Sequence, residues 1–170
     1  MPRILFLGGD FRRKGGPLLV ECFAQHFQGQ AELDIVTQTD APSGPGIRVH
    51  RNVRAWSEEW LKLWRQADLF VFPSRLETFG IVLLEAHSFG VATIASSSGA
   101  AAELLDHGQA GWLLPELSRE TLRRAIAEAL AQPALRQQKS QRGQALLAQR
   151  YLLGPNTRAL AAFLQQEISS

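Results

Sequence analysis

The sequence predicts an α/β fold, a doubly wound parallel sheet of about six strands closed by a helical C-terminal tail. Three observations predict it. Short apolar runs of strand length alternate with amphipathic stretches over residues 1–115, the pattern of a βαβ chain with a parallel sheet. Beyond Pro115 the pattern is helical throughout. The length of 170 residues buries one substantial core but not two.

Each element has its own signal. Ile4 to Leu7 is a compact hydrophobic strand that ends at Gly8-Gly9. Gly15-Gly16-Pro17 opens a helix, with proline in the first turn where its missing N–H costs nothing. Leu19, Cys22, Phe23, His26 and Phe27 recur on one face of that helix, and His26 there reads as a packed or edge histidine. Leu33 to Thr37 is a second strand, followed by the Pro/Gly/Ser-rich loop Ala41 to Gly46 and a third strand, Ile47 to His50. Ser57 can cap a helix carrying Trp60, Leu61, Leu63 and Trp64. Asp68 to Phe72 reads as a fully buried strand stopped by Pro73, Phe79 to Phe89 as a helix, and Val91 to Ala95 as the next strand. Ala100 to Leu105 is a short helix ending near Gly108, and Gly111 to Leu114 a last strand stopped by Pro115. Leu122, Ala125, Ile126, Ala129 and Leu130 share a helix face behind the cap Ser118. Pro133 starts a helix running to about Arg150, Gly154-Pro155 breaks it, and Asn156 to Ile168 is a final amphipathic segment. With no internal repeat and no linker, the expectation is one Rossmann-like domain over residues 1–170.

Composition narrows the function classes. Hydrophobic content of 45% with 20% charged residues is that of an ordinary globular protein. The longest apolar runs are strand-sized, far short of the ~20 residues of a membrane span. The opening MPRILFLGG is too short for a signal peptide. Cys22 is the only cysteine, which forbids an internal disulfide and points to a reducing, cytoplasmic compartment. Its helical spacing with Leu19 and Phe23 makes it a buried structural thiol. A net charge of +2 is mild, and the clusters Arg12-Arg13-Lys14 and Arg48, Arg51, Arg54 read from charge alone as solvated surface. Nucleic-acid binding is not expected, because only Phe11 and Trp56 interleave aromatics with those charges.

Two segments carry chemistry. Ligands of open parallel sheets sit beyond the carboxyl ends of the strands, and Gly8 to Gly16 leaves the first strand there. Its glycines permit tight turns and close approach of a ligand, and its three consecutive cations could hold a diphosphate. The spacing is neither GxGxxG nor GxxxxGK[ST]. The second segment is Pro73 to Glu85. The first N–H groups of a helix lack intrahelical partners and carry partial positive charge, so the Thr78 to Ile81 end suits a phosphate. Gly80 leaves room for it. Glu85 lies one turn beyond Ile81 in a largely apolar helix, where a carboxylate needs a partner, and Glu77 approaches from the preceding loop. Carboxylates so placed suit sugar or ribose hydroxyls. The blander alternative is that Glu77 caps its own helix and Glu85 is a surface residue.

These stretches resemble the C-terminal domain of glycosyltransferase family 4, the retaining enzymes of two-domain GT-B type. The likeness is strongest from Ala67-Asp68-Leu69-Phe70-Val71-Phe72-Pro73-Ser74 through Glu77-Thr78-Phe79-Gly80 to Glu85. It continues through Ser98-Gly99-Ala100-Ala101-Ala102-Glu103 and Gly108-Gln109-Ala110-Gly111-Trp112. The resemblance implies that Glu85 binds the ribose of a nucleoside diphosphate sugar and Glu77 the hydroxyls of the donor sugar. Backbone at Phe79, Gly80 and Ile81 would meet the diphosphate and sugar. Lys14 matches the lysine of the family's glycine loop, whereas Gly9 stands where an arginine is expected, leaving Arg12 or Arg13 to reach in instead. Arg51-Asn52-Val53 would lie beside the base. The implied reaction is sugar transfer with retention and generally without a metal, and the sequence holds no Asp-x-Asp or His/Cys cluster to ligate one. The resemblance also implies that the N-terminal acceptor domain is absent, so that the isolated domain binds a nucleotide but transfers slowly or not at all. Membrane contact would be peripheral, through the missing half, and exposed interdomain surface would favour self-association.

Two rivals share this architecture. A nucleotide-sugar epimerase would release a changed free sugar without an acceptor. A non-catalytic subunit would supply donor binding to a separate partner.

Overall fold

The computed structural model describes residues 1–152, 154, 156 and 157, so most of the expected segment Asn156 to Ile168 and part of the break at Gly154-Pro155 lie outside the described residues. Six strands form the sheet: β1 (Arg3–Leu7), β2 (Glu32–Val36), β3 (Ile47–His50), β4 (Leu69–Phe72), β5 (Ala92–Ser96) and β6 (Trp112–Leu114). All pairings are parallel, in the order β3-β2-β1-β4-β5-β6. The expected α/β doubly wound sheet is therefore the observed one. Winding reverses between β1 and β4, and the crevice at that switch point is where such sheets receive ligands.

Helices α1 (Gly16–His26), α2 (Glu58–Gln66), α3 (Ile81–Ser88), α4 (Ala101–Leu104), α5 (Arg119–Ala131) and α6 (Pro133–Leu146) fill the connections, and a wider turn at Leu147–Tyr151 continues α6. Strand alternation divides the core between the two faces of the sheet. Ile4, Phe6 and Val71 join Leu19 and Phe23 of α1 and Leu122 and Ile126 of α5. Leu5, Phe70 and Phe72 join Trp60 and Trp64 of α2, Leu83 of α3 and Leu104 of α4. Cys22 is buried in the first of these cores, and burial pushes its thiol up to about 11, the behaviour of an inert structural cysteine. His26 stands exposed in the last turn of α1 with its ring edge toward Phe27.

Local capping follows the sequence closely. The Ser57 hydroxyl accepts from Trp60 N–H at 3.2 Å, and Ser118 with Thr121 forms a reciprocal capping box on α5. Ser118→Ala removes one acceptor from an otherwise orphaned N–H. It should cost about 1 kcal/mol, which a domain of this size reads as a melting-temperature drop of about 2–4 °C. An unchanged melting temperature would mean that water caps α5 equally well.

One boundary departs from expectation. Helix α3 begins at Ile81 rather than Phe79, because Gly80 sits at φ 86° and ψ 50°, left-handed and outside any helix. Gly80 is thus the N-cap, and the residue that was expected to admit a ligand also fixes where the helix starts.

Candidate active site

The loop leaving β1 is held shape-first. Gly8 N–H donates to Val36 C=O at 3.0 Å, and Gly9 C=O accepts from Gln38 N–H and the Thr37 hydroxyl, both at 3.3 Å. Phe11 N–H donates to the Thr39 hydroxyl at 3.0 Å, and the Phe11 ring lies under Gly16. The end of β2 therefore anchors the glycine loop. Gly8 has a further duty, since a Cβ there would stand 2.9 Å from Cγ of Lys14. The missing side chain makes room for the lysine stem, which places Nζ 5.2 Å from the centroid of Phe72 at the end of β4.

Across the switch point, the loop after β4 is pinned from beneath by the loop after β5. Glu77 N–H donates to the Ser98 hydroxyl at 2.9 Å, Ala100 N–H donates to Thr78 C=O at 3.2 Å, and Gly99 packs its backbone directly against Glu77 and Thr78. Two loops from distant parts of the chain then meet. Lys14 Nζ donates to Glu77 Oε2, and the two side chains are only 12% and 17% exposed. Glu77 Oε1 accepts from Thr78 N–H at 3.0 Å, so Glu77 does not cap α3. Burial pushes the Glu77 carboxyl up, but the hydrogen bonds from Lys14 and Thr78 and the charges of Lys14 and Arg13 outweigh it and hold the group below its usual range.

Beside this ion pair lies an uncapped helix end. Gly80 offers no side chain, and the N–H groups of Phe79, Gly80, Ile81 and Val82 find no acceptor among the described residues. Ile81 and Val82 supply the free first-turn donors of α3, Phe79 and Gly80 add two more from the preceding loop, and together with the nearby ammonium group they suit an anion of phosphate size. The rim is apolar, with Leu76 67%, Phe79 44% and Ile81 66% exposed. Glu85, a turn into α3, is half-buried without a side-chain partner among the described residues, and desolvation raises its carboxyl above the ordinary range.

A cavity of about 200 Å³ adjoins these elements on the β1–β3 side, lined by Gly8, Gly9, Asn52, Val53, Gln38 and Trp60 among others. Its outer loop is held in an uncommon conformation, with Asn52 at φ 59° and Trp56 at φ 65°. The arginines divide. Arg13 pairs with Asp10 at 3.8 Å but remains near enough for its charge to act on Glu77. Arg12 instead lines a separate groove with Asp40 and Arg51, themselves paired at 3.1 Å, so the structure does not bring it to the Lys14–Glu77 pair. Arg48 pairs with Glu32. Among the described residues no group of three or more His, Cys, Asp or Glu is clustered to hold a metal ion, and no helix is long and apolar enough to cross a membrane.

Sequence reasoning missed the supports of this site. Thr37, Thr39 and Ser98 hold both loops in place, and only their positions just past strand ends marked them. The buried His87, whose Nε2 lies 2.8 Å from Leu104 C=O, ties α3 to α4 and was equally silent.

An open parallel sheet of this order and connectivity is the Rossmann-like fold of GT-B proteins, and the comparisons place the chain within that class. It aligns with the structure of Anabaena Alr3699/HepE in complex with UDP at a TM-score of 0.81, with 20% identity, over 96% of this chain and 48% of that one. The C-terminal domain of the Glycosyl Transferase Group 1 family protein LpcC from Francisella tularensis aligns at 0.77 with 20% identity, over 89% of this chain and 87% of that one. In sequence, the lipopolysaccharide core biosynthesis mannosyltransferase LpcC of Rhizobium leguminosarum bv. viciae is 45% identical over 76 residues, 44% of this chain and 22% of the relative. Residues 45–146, more than half of the chain, match the family of glycosyl transferases group 1, and the chain belongs to that family. It spans less than half the length of the curated relatives it matches.

Proposed function

We propose that residues 1–170 are the donor half of a retaining, family 4 glycosyltransferase, binding a nucleoside diphosphate sugar. Most of the acceptor is held by an N-terminal domain outside this chain, across the cleft from the donor. The observation that carries the reading is the meeting of Lys14, Glu77 and the unsatisfied N–H groups of residues 79–82 at the β1–β4 switch point. Lys14 and the α3 tip hold the diphosphate, with Arg13 adding charge from the loop. Glu77 accepts from hydroxyls of the donor sugar, Glu85 from the ribose, and the cavity at Gly8, Gly9, Asn52 and Val53 takes the base. When the bond from the anomeric carbon to the phosphate oxygen breaks, its electron pair leaves with the diphosphate. The ammonium and the helix tip are already aimed at that charge. The acceptor oxygen then bonds on the face the diphosphate leaves, and its hydroxyl proton passes to the departing phosphate oxygen. Alone, the chain binds donor and transfers slowly or not at all, and it works in the cytoplasm.

Calorimetry of the chain against UDP, GDP and ADP tests this reading directly. One of the three should bind, and Glu85→Gln should weaken it at least tenfold by removing a charged acceptor whose hydrogen bonds are worth about 1.5–3 kcal/mol. The same variant should stabilise the free fold. A carboxyl whose folded pKa is raised binds its proton more tightly folded than unfolded, so at neutral pH its charge opposes folding. The stability gained by Glu85→Gln is then present at pH 7 and shrinks as pH falls through the raised folded value toward the ordinary carboxylate range. Wild-type affinity in the variant would remove Glu85 from the site, and no binding of any nucleotide would overturn the donor reading.

A further inference from the structure

We propose that the hollow beyond the carboxyl ends of β4, β5 and β6 is a subsite for an acidic sugar of the acceptor, gripping its phosphate or carboxylate through Arg75. The acceptor role rests on the donor reading above, while the binding chemistry stands on this hollow alone. The hollow encloses about 420 Å³, within the range of about 300–1,000 Å³ typical of small-ligand sites.

Its lining mixes two chemistries, Arg75 and the serines Ser74, Ser96, Ser97 and Ser98 with the apolar Leu114, Pro115 and Leu117. A pyranose presents the same mixture, with polar edges and an apolar C–H face. Among the described residues no acidic side chain lines the hollow.

The hydrogen-bond inventory then selects for charge. Ser74 and Ser96 are buried and already donate to backbone, to Leu76 C=O and Ser74 C=O. Ser98 accepts from Glu77 N–H, so its own O–H is left to donate, and the Ser97 hydroxyl has no partner among the described residues. Arg75 is exposed and makes no ion pair or hydrogen bond among the described residues, so its guanidinium is open to an anion. What remains open at the mouth is therefore donors, a planar guanidinium and two hydroxyls, the set that suits a phosphate or carboxylate. Ser98 connects the two sites. Ser98 lines the hollow and its hydroxyl lies 2.9 Å from the backbone nitrogen of Glu77, so a sugar held there is one residue from the Lys14–Glu77 pair.

The test is an amide-shift titration of the 170-residue chain, saturated with its preferred nucleotide, using glucose 6-phosphate, glucuronate and glucose as probes. At least one acidic sugar should shift the amides of Arg75, Ser97 and Ser98, glucose should not, and Arg75→Gln should weaken the effect at least tenfold while nucleotide affinity stays within twofold. A response to glucose 6-phosphate alone assigns a phosphate, and a response to glucuronate alone a carboxylate. The proposal falls if no acidic sugar shifts these amides, if glucose does so equally, if Arg75→Gln changes nothing, or if the nucleotide competes with the probe. Should the chain take an acidic sugar but no nucleotide, the donor reading fails separately and the acceptor role goes with it.

Discussion

If the proposed donor role holds, replacing Lys14 by alanine should lower kcat/KM for sugar transfer, measured with the acceptor half supplied, by about 10²–10³, the loss typical of removing one preorganised donor from a developing anion. The magnitude follows from where the ammonium sits. Lys14 Nζ is held by Glu77 and by the Phe72 ring in a position only 12% exposed, so water screens it poorly and cannot replace it without rearrangement. The obvious objection is that Lys14→Ala also strips Glu77 of its partner, leaving a carboxylate that repels the diphosphate. A cycle with Glu77→Gln separates the two effects. If Lys14 acts on the donor, its loss still costs at least tenfold on the Glu77→Gln background. If it costs nothing there, the lysine serves only to neutralise Glu77, and the diphosphate must be held by the helix tip alone.

What the sequence disclosed and what it hid follow from range. Strands buried on both faces write themselves as nearly continuous apolar runs, so Leu69–Phe72 and Ala92–Ser96 are legible within a residue. Caps such as Ser57 and Ser118 act on residues three positions away and were equally plain. Glu85 announced itself by standing in an apolar helix. The contact that makes the site does not work that way. Lys14 and Glu77 are 63 residues apart, and only the placement of β4 beside β1 brings their loops together. The family resemblance put both residues in one site, while nothing local in either loop indicated the other. Nor could the three neighbouring cations be told apart locally. Successive side chains in a tight loop point in different directions, so Lys14 turns to Glu77, Arg13 to Asp10, and Arg12 to the groove by Asp40. The helix α3 begins at Ile81 and not at Phe79 because the apolar run that marks it extends back past its first turn, while the left-handed backbone of Gly80 stops it there.

Gly15→Ala should be among the most damaging single-atom additions this domain can receive, because Gly15 joins the two halves of the site by backbone contact. It caps α1 at φ 79°, and a Cβ there would stand 1.9 Å from the carbonyl oxygen of Pro73, the residue that ends β4. Neither side can yield cheaply. Gly15 is fixed by hydrogen bonds on either side, its own N–H to Arg12 C=O and its C=O from Leu19 N–H, both at 3.2 Å. Pro73 is buried and leads straight into Ser74, whose carbonyl is held by Ser96. The left-handed conformation alone costs alanine about 1–2 kcal/mol, and forcing a methyl into a packed contact adds about 1–3 kcal/mol. For a domain of this length the sum corresponds to a loss of roughly 10 °C in melting temperature. Gly9→Ala is the control, since a Cβ at Gly9 meets nothing within 4 Å and its φ is not left-handed, so its stability should stay near wild type. The functional loss should exceed the loss of stability. Moving Pro73 outward carries Glu77 away from Lys14, so a Gly15→Ala protein that is still folded at low temperature should bind nucleotide more weakly than wild type does. Wild-type stability and wild-type affinity in Gly15→Ala would show that the loops after β1 and β4 do not hold one another in place, and the site would then be an assembly of independent loops.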